Sequence, residues 1–136
     1  MRTEQKHKLA QLRHWRVRRK VRGTGERPRM SVRFTNENIY VQFIDDNAGT
    51  TLAAASTASK GAPDRDKLAA NVASAKVIGK LAAETALAKG IKMVVFDRGS
   101  ARYHWSKGKG KDGKPVTVLG KLAALAGAAR EAGLKF

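Results

Sequence analysis

The chain has 136 residues, 42% of them hydrophobic, a formal net charge of +17 and no cysteine. That length suits one compact domain with a single core, and the missing thiols exclude disulfides, thiolate metal sites and cysteine nucleophiles. So large an excess of one sign repels itself unless a polyanion neutralises it, which points to nucleic acid first and an anionic membrane surface second.

The charge is uneven. Residues 1–33 carry twelve Lys/Arg against two acids, or +10, and residues 98–136 carry nine against two, or +7. Residues 34–65 sum to −2 and residues 66–97 to +2. Two basic ends therefore flank a near-neutral middle, which assigns the core to the middle and the contact surfaces to the ends. The opening "MRTEQKHKLAQLRHW" lacks the apolar stretch of a secretory signal, and no window is apolar enough to span a bilayer.

In chain order, residues 4–21 are expected to form a helix. Leu9 and Leu12 begin an apolar stripe, but basic residues surround it, so core burial does not stabilise this helix and a partner is expected to order it. Gly23 and Gly25 are expected to end it and to release it from the fold. Residues 1–26 are thus read as a basic arm and 27–136 as one α/β domain. In "RMSVRF" Met30, Val32 and Phe34 alternate with Ser31 and Arg33, and in "IYVQFI" Ile39, Val41 and Phe43 share one side. Period-two patterning of this kind predicts strands. "TNEN" and "DDNAG" close hairpins, and "TTLAAAS" is a third strand.

Asp64 or Asp66 is expected to cap the next helix. It runs to about Lys89, with Leu68, Val72, Ala75, Ile78 and Leu81 near one face. "LAKGIK" and "REAGLK" share a glycine, an apolar residue and a lysine, which reads as one C-capping solution used twice. "IKMVVF" is a nearly continuous apolar strand reached by a parallel crossover. Residues 97–117 are a long basic loop, and a last helix covers about 119–132. The order helix-β-β-β-α-β-α implies an α/β layer structure with a mixed sheet.

Two basic stretches carry the functional signal. In the arm, Arg13, Arg16, Arg18, Arg19, Lys20 and Arg22 surround Trp15, and Arg27 and Arg29 follow. Arginine forks match phosphate oxygens bidentately and stack on bases. Neutralising six to ten phosphates would cost roughly 10³–10⁵ in affinity between 50 and 200 mM salt. The second stretch, "RGSARYHWSKGKGKDGK", interleaves Tyr103, His104 and Trp105 with Arg98, Arg102, Lys107, Lys109, Lys111 and Lys114, a combination suited to unpaired bases and backbone together. A membrane reading needs an apolar face opposite the basic one, and Leu9, Leu12 and Val17 are a thin version of it.

"GKGKDGKP" nearly matches a phosphate-binding loop, but Pro115 stands where a hydroxyl should hold magnesium. "DGK" reads instead as a hairpin tip, with Val116 and Val118 on the return strand. Asp45, Asp46 and Asp97 lie near strand ends, where a metal-dependent nuclease could place ligands. Turn chemistry accounts better for Asp45 and Asp46, and pairing with Arg98 or backbone capping for Asp97. No nucleophile–base set is visible, so no catalysis, cofactor or metal is expected.

"RPRMSV", "NIYVQFIDDNAGTTLAAAST", "LAKGIKMVVFDRG" and "AAREAGLKF" resemble the bacterial large-subunit ribosomal protein L-eighteen family, from about Arg13 to Phe136. The resemblance implies a ribonuclease-H-like α/β motif without nuclease activity, in the cytoplasmic ribosome. It also implies a monomer that binds 5S rRNA and, with ribosomal protein L-five, docks it onto 23S rRNA in the central protuberance. The family's RNA-contacting positions carry over to the arm residues above, to Arg27, Arg29, Asn36 and Tyr40, and to Arg98, Gly99, Tyr103 and His104; Arg33 and Arg102 beside them are added as RNA-binding candidates for their charge. Three departures stand out. Glu37 and Asn38 replace a basic residue and a histidine. Gly99-Ser100-Ala101 replaces Gly-Gly-Tyr. About fifteen residues, Trp105 to Leu119, precede Gly120 and the final helix. This insertion is read as a basic hairpin reaching further rRNA or a neighbouring protein, through Trp105, Lys107, Lys109 and Lys111. The runner-up function is another basic module for tRNA, double-stranded RNA or DNA.

Overall fold

Alternating side chains build the sheet. In the computed structural model, which describes Met1–Phe136, β1 (Arg29–Phe34), β2 (Ile39–Asp45) and β3 (Thr50–Ser56) form an antiparallel meander. Its turns are made as the sequence suggests. Thr35 and Asn38 close the first, and Asp45 Oδ1 accepts the N–H groups of Asn47 and Ala48 in the second. A fourth strand, β4 (Val95–Asp97), lies parallel to β1, giving the order β3-β2-β1-β4. The parallel crossover is as expected, but the strand is shorter than "IKMVVF". Only an isolated bridge, Met93 to Lys135, precedes it, and Met93 is exposed.

Met30, Val32, Ile39, Val41 and Phe43 point to one face, where two helices cover them. These are α2 (Val72–Ala88) and α3 (Lys121–Glu131). Small residues set their close approach: Ala53 and Ala55 on the sheet, and Ala75, Ala82, Ala83 and Ala86 on α2, are all buried. Where α2 crosses α3, a Cβ on Gly79 would meet the carbonyl oxygen of Leu125. The result is a two-layer α/β structure with a mixed sheet.

The ends of α2 differ from expectation in one respect. Its N-cap is Asn71, whose Oδ1 accepts the Ser74 N–H at 2.8 Å. Asp64 and Asp66 belong instead to a short 3-10 turn, Arg65–Lys67. Asn and Asp cap comparably, so composition alone could not place this start. Both C-termini use one motif. Ile91 N–H reaches Ala86 O and Gly90 N–H reaches Leu87 O, while Leu134 N–H reaches Ala129 O and Gly133 N–H reaches Arg130 O. Gly90 and Gly133 take positive φ, as this double bond pattern requires. After Gly133 the chain brings Phe136 onto Phe96, with ring centroids 5.1 Å apart.

Two elements stand outside this body. Helix α1 (Thr3–Arg18) buries no residue. The expected hairpin is present as β5 (Trp105–Lys109) and β6 (Pro115–Leu119), a separate two-stranded sheet. Pro115 begins a strand, not a helix, so "GKGKDGKP" lacks the geometry of a phosphate-binding loop.

Candidate nucleic-acid interface

Helix α1 presents cations on every side. Arg13 and Arg16 are exposed, as are Arg19, Lys20 and Arg22 beyond its end. Trp15 is 55% exposed. At 1.5 Å per residue the helix is about 24 Å long.

The arm is not joined to the body by a free glycine hinge. Gly23 is buried, and a Cβ there would overlap the Ile44 carbonyl oxygen and the Arg29 nitrogen. Its N–H donates to Asp46 Oδ2 at 2.7 Å, and its carbonyl accepts the Asp46 N–H at 3.2 Å. Glycine is needed here for close backbone approach. Asp46 also receives Arg18 Nη2 on Oδ1 at 3.0 Å and Arg29 Nε on Oδ2 at 3.0 Å. Arg29 Nη1 continues to Asp97 Oδ2 at 2.9 Å, and Asp97 Oδ1 accepts the Gly99 N–H. One network thus ties the end of α1, the starts of β1 and the 98–104 loop, and the ends of β2 and β4.

This network corrects two expectations. The Arg29 side chain is 11% exposed with both faces of its fork engaged, so it is a structural tie and not a surface cation. Asp97 pairs with Arg29 and not with Arg98, while its Oδ1 caps the Gly99 N–H, the backbone capping expected of it. The hydrogen bond from Arg29 holds the Asp46 carboxyl well below the ordinary carboxylate range. Burial opposes this, and Arg18 and the Gly23 N–H add to it. Burial would lower the Arg29 pKa, but the two carboxylates outweigh it and raise it. Arg18 is intermediate, its guanidinium shared between Asp46 and the Val21 carbonyl.

The sheet face away from the helices is open. Arg33 and Tyr40 are a cross-strand pair there, both exposed, beside Ser31 and Gln42 in a shallow hollow. Arg27 is exposed and donates from Nε to Val94 O at 3.3 Å, and Asn36 is exposed at the first turn. Asn38, one of the departures from the family pattern, turns inward. Its Oδ1 accepts the hydroxyl of Thr57, itself buried. Beyond β4, Arg98, Gly99, Arg102, Tyr103 and His104 are all exposed. Arg98 Nη1 donates to the Ala101 carbonyl, and Tyr103 Oη accepts from Arg130. No helix is long and apolar enough to cross a membrane.

The family model describing ribosomal L18 of archaea, bacteria, mitochondria and chloroplasts matches residues 4–109. The chain belongs to this family. It is 48% identical over 131 residues to the large ribosomal subunit protein uL18 of Lactococcus lactis, covering 96% of this chain and 95% of that one. It is 50% identical over 131 residues to uL18 of Lactobacillus delbrueckii subsp. bulgaricus, with the same coverage. Against uL18 of Clostridium botulinum it is 48% identical over 124 residues, covering 91% of this chain and 89% of that one. Ribosomal L18 proteins are structural components of the translation machinery, and rRNA binding is typical of them. The family match ends at Lys109, the last residue of β5, so the hairpin's return strand and α3 lie beyond it.

Proposed function

We propose that this chain binds 5S rRNA and attaches it to 23S rRNA in the central protuberance of the large subunit, alongside ribosomal protein L-five, as a non-catalytic monomer. The observation that carries the reading is a cationic helix with no core to serve, fastened at one end to the sheet. Its arginines supply phosphate contacts, which position without reading sequence. The open face adds Arg33, Asn36 and Tyr40, with Arg27 nearby. Arg98, Gly99, Arg102, Tyr103 and His104 extend the surface past β4. Arg29 is left out of this set because Asp46 and Asp97 occupy it. The same occupancy weakens the nuclease alternative, since Asp46 and Asp97 already serve Arg29.

A gel shift at physiological salt tests the reading. The expected result is tighter binding to 5S rRNA than to DNA or an unrelated structured RNA of equal length. Equal affinity for all three would favour a generic basic module and sink the specific claim.

A further inference from the structure

The hairpin has two unlike faces. Register pairs Trp105 with Leu119, Lys107 with Thr117 and Lys109 with Pro115. It pairs Ser106 with Val118 and Gly108 with Val116 on the other side. One face is therefore aromatic and basic, the other small and apolar. Leu119, at the root of the basic face, also lines a cleft of about 560 Å³ floored by α2 and α3. Lys76 and Lys80 of α2 stand along that cleft with Val77 and Gly127. Glu131 is the one acid lining it. Trp105 is 55% exposed. A lone two-stranded hairpin is marginally stable in water, so a partner that fills the cleft would also order it.

This cleft is separate from the arm. The arm is rooted at Gly23, against Arg29 and Ile44, where β1 begins. The loop leading to the hairpin passes Val32 and reaches Phe34, with Ala101, Arg102 and Lys121 around the same hollow, where β1 ends. Six strand residues put the two roots about 17 Å apart. The hairpin's own base is closed by the Gly120 N–H on His104 O at 2.8 Å.

We propose that the cleft on α2 and α3 beside Leu119, together with the hairpin's lysine face, is a second RNA site, taking an unpaired rRNA segment independently of the arm. Lys76, Lys80, Lys107 and Lys109 hold its phosphates, and Trp105 stacks on a base. Lys76 and Lys80 against the single carboxylate of Glu131, with Lys107 and Lys109 further along the hairpin face that Leu119 shares, select a polyanion, and an aromatic among lysines suits an unstacked base. The inference rests on the rRNA-binding reading above.

The test places a photoreactive phenylalanine analogue at position 107, and separately at position 16, in the full chain assembled into large subunits. Position 107 is expected to crosslink to rRNA. A crosslink only to protein would overturn the proposal in favour of a protein partner. No crosslink from 107 while 16 reacts with RNA would overturn it too. Failure at position 16 alone would count against the arm and not against the cleft. In parallel, full-length protein carrying Lys76→Gln, Lys80→Gln, Lys107→Gln and Lys109→Gln is titrated with large-subunit rRNA. Its salt slope is expected to fall by about 3, given about 0.7 per single-strand phosphate contact. An unchanged slope in a variant of unchanged circular dichroism would also overturn the proposal.

Discussion

Asp46 carries more than any other single side chain. It holds Arg18, Arg29 and the Gly23 N–H at once. Removing one partner from a largely buried ion pair costs about 3–5 kcal/mol. Arg29 keeps Asp97, so Asp46→Asn is expected at the low end, about 3 kcal/mol by urea denaturation. The depressed Asp46 pKa also gives a pH signature. A carboxyl whose folded pKa lies below its unfolded value stabilises fully above the unfolded value, near 3.9, and the gain is lost as pH falls toward the folded one. Wild type is therefore expected to lose stability below about pH 4 more steeply than Asp46→Asn. Parallel acid profiles would show that the network contributes nothing. The pairing was half legible in the sequence. A hairpin turning at Thr35–Asn38 puts Arg29 beside Ile44, with Asp46 two residues on. What the sequence did not display was that Gly23 would be drawn into the same knot, because close backbone approach leaves no periodic trace. Two other glycines offer a contrast. Gly79→Ala would press on the Leu125 carbonyl and is expected to cost about 1–3 kcal/mol. Gly127→Ala meets nothing within 4 Å and is expected to gain up to about 1 kcal/mol from helix propensity. Thermal melts of the two variants check the sign of each.

At the scale of elements, the sheet was readable because Met30 and Val32 of β1 and Ile39, Val41 and Phe43 of β2 are buried at alternate positions. The twin C-caps and the hairpin tip were readable because glycine there answers a backbone demand. The α2 start and the β4 length were not, since neither depends on local chemistry alone: Leu68 packs on the core without being helical, and Met93 is apolar yet exposed. Helix α1 has tertiary support only at its last residue, Arg18. A 16-residue helix that buries nothing is marginal in water. Its amides are expected to exchange far faster than those of α2 in the free protein, and to become protected when RNA is added. Equal protection of both helices without RNA would show that the arm is stable alone. The hairpin makes the complementary prediction. Deleting residues 106–118 should leave the cooperative unfolding transition in place, because none of those residues is buried. Loss of that transition would make the hairpin part of the fold.

For the whole molecule, the charge map follows the fold only in part. The near-neutral residues 34–97 hold β2, β3, β4 and α2, and the ends, at +10 and +7, hold α1 and the hairpin, but β1 and α3 also lie in the ends and give the core Met30, Val32, Leu122 and Leu125. That the partner is a polyanion was legible from the charge alone; the choice of 5S rRNA came from the family resemblance, since phosphate-binding cations do not encode which RNA they meet. Fastening the arm at Asp46 gives it a defined origin on the body, so its arginines are presented from one place. The most direct measurement is a salt titration of 5S rRNA binding by the full chain, compared with a variant carrying glutamine at Arg13, Arg16, Arg19, Lys20 and Arg22. The account predicts a log–log slope shallower by about 4.5 in the variant, at about 0.9 per duplex phosphate contact. The same slope in both proteins would contradict it.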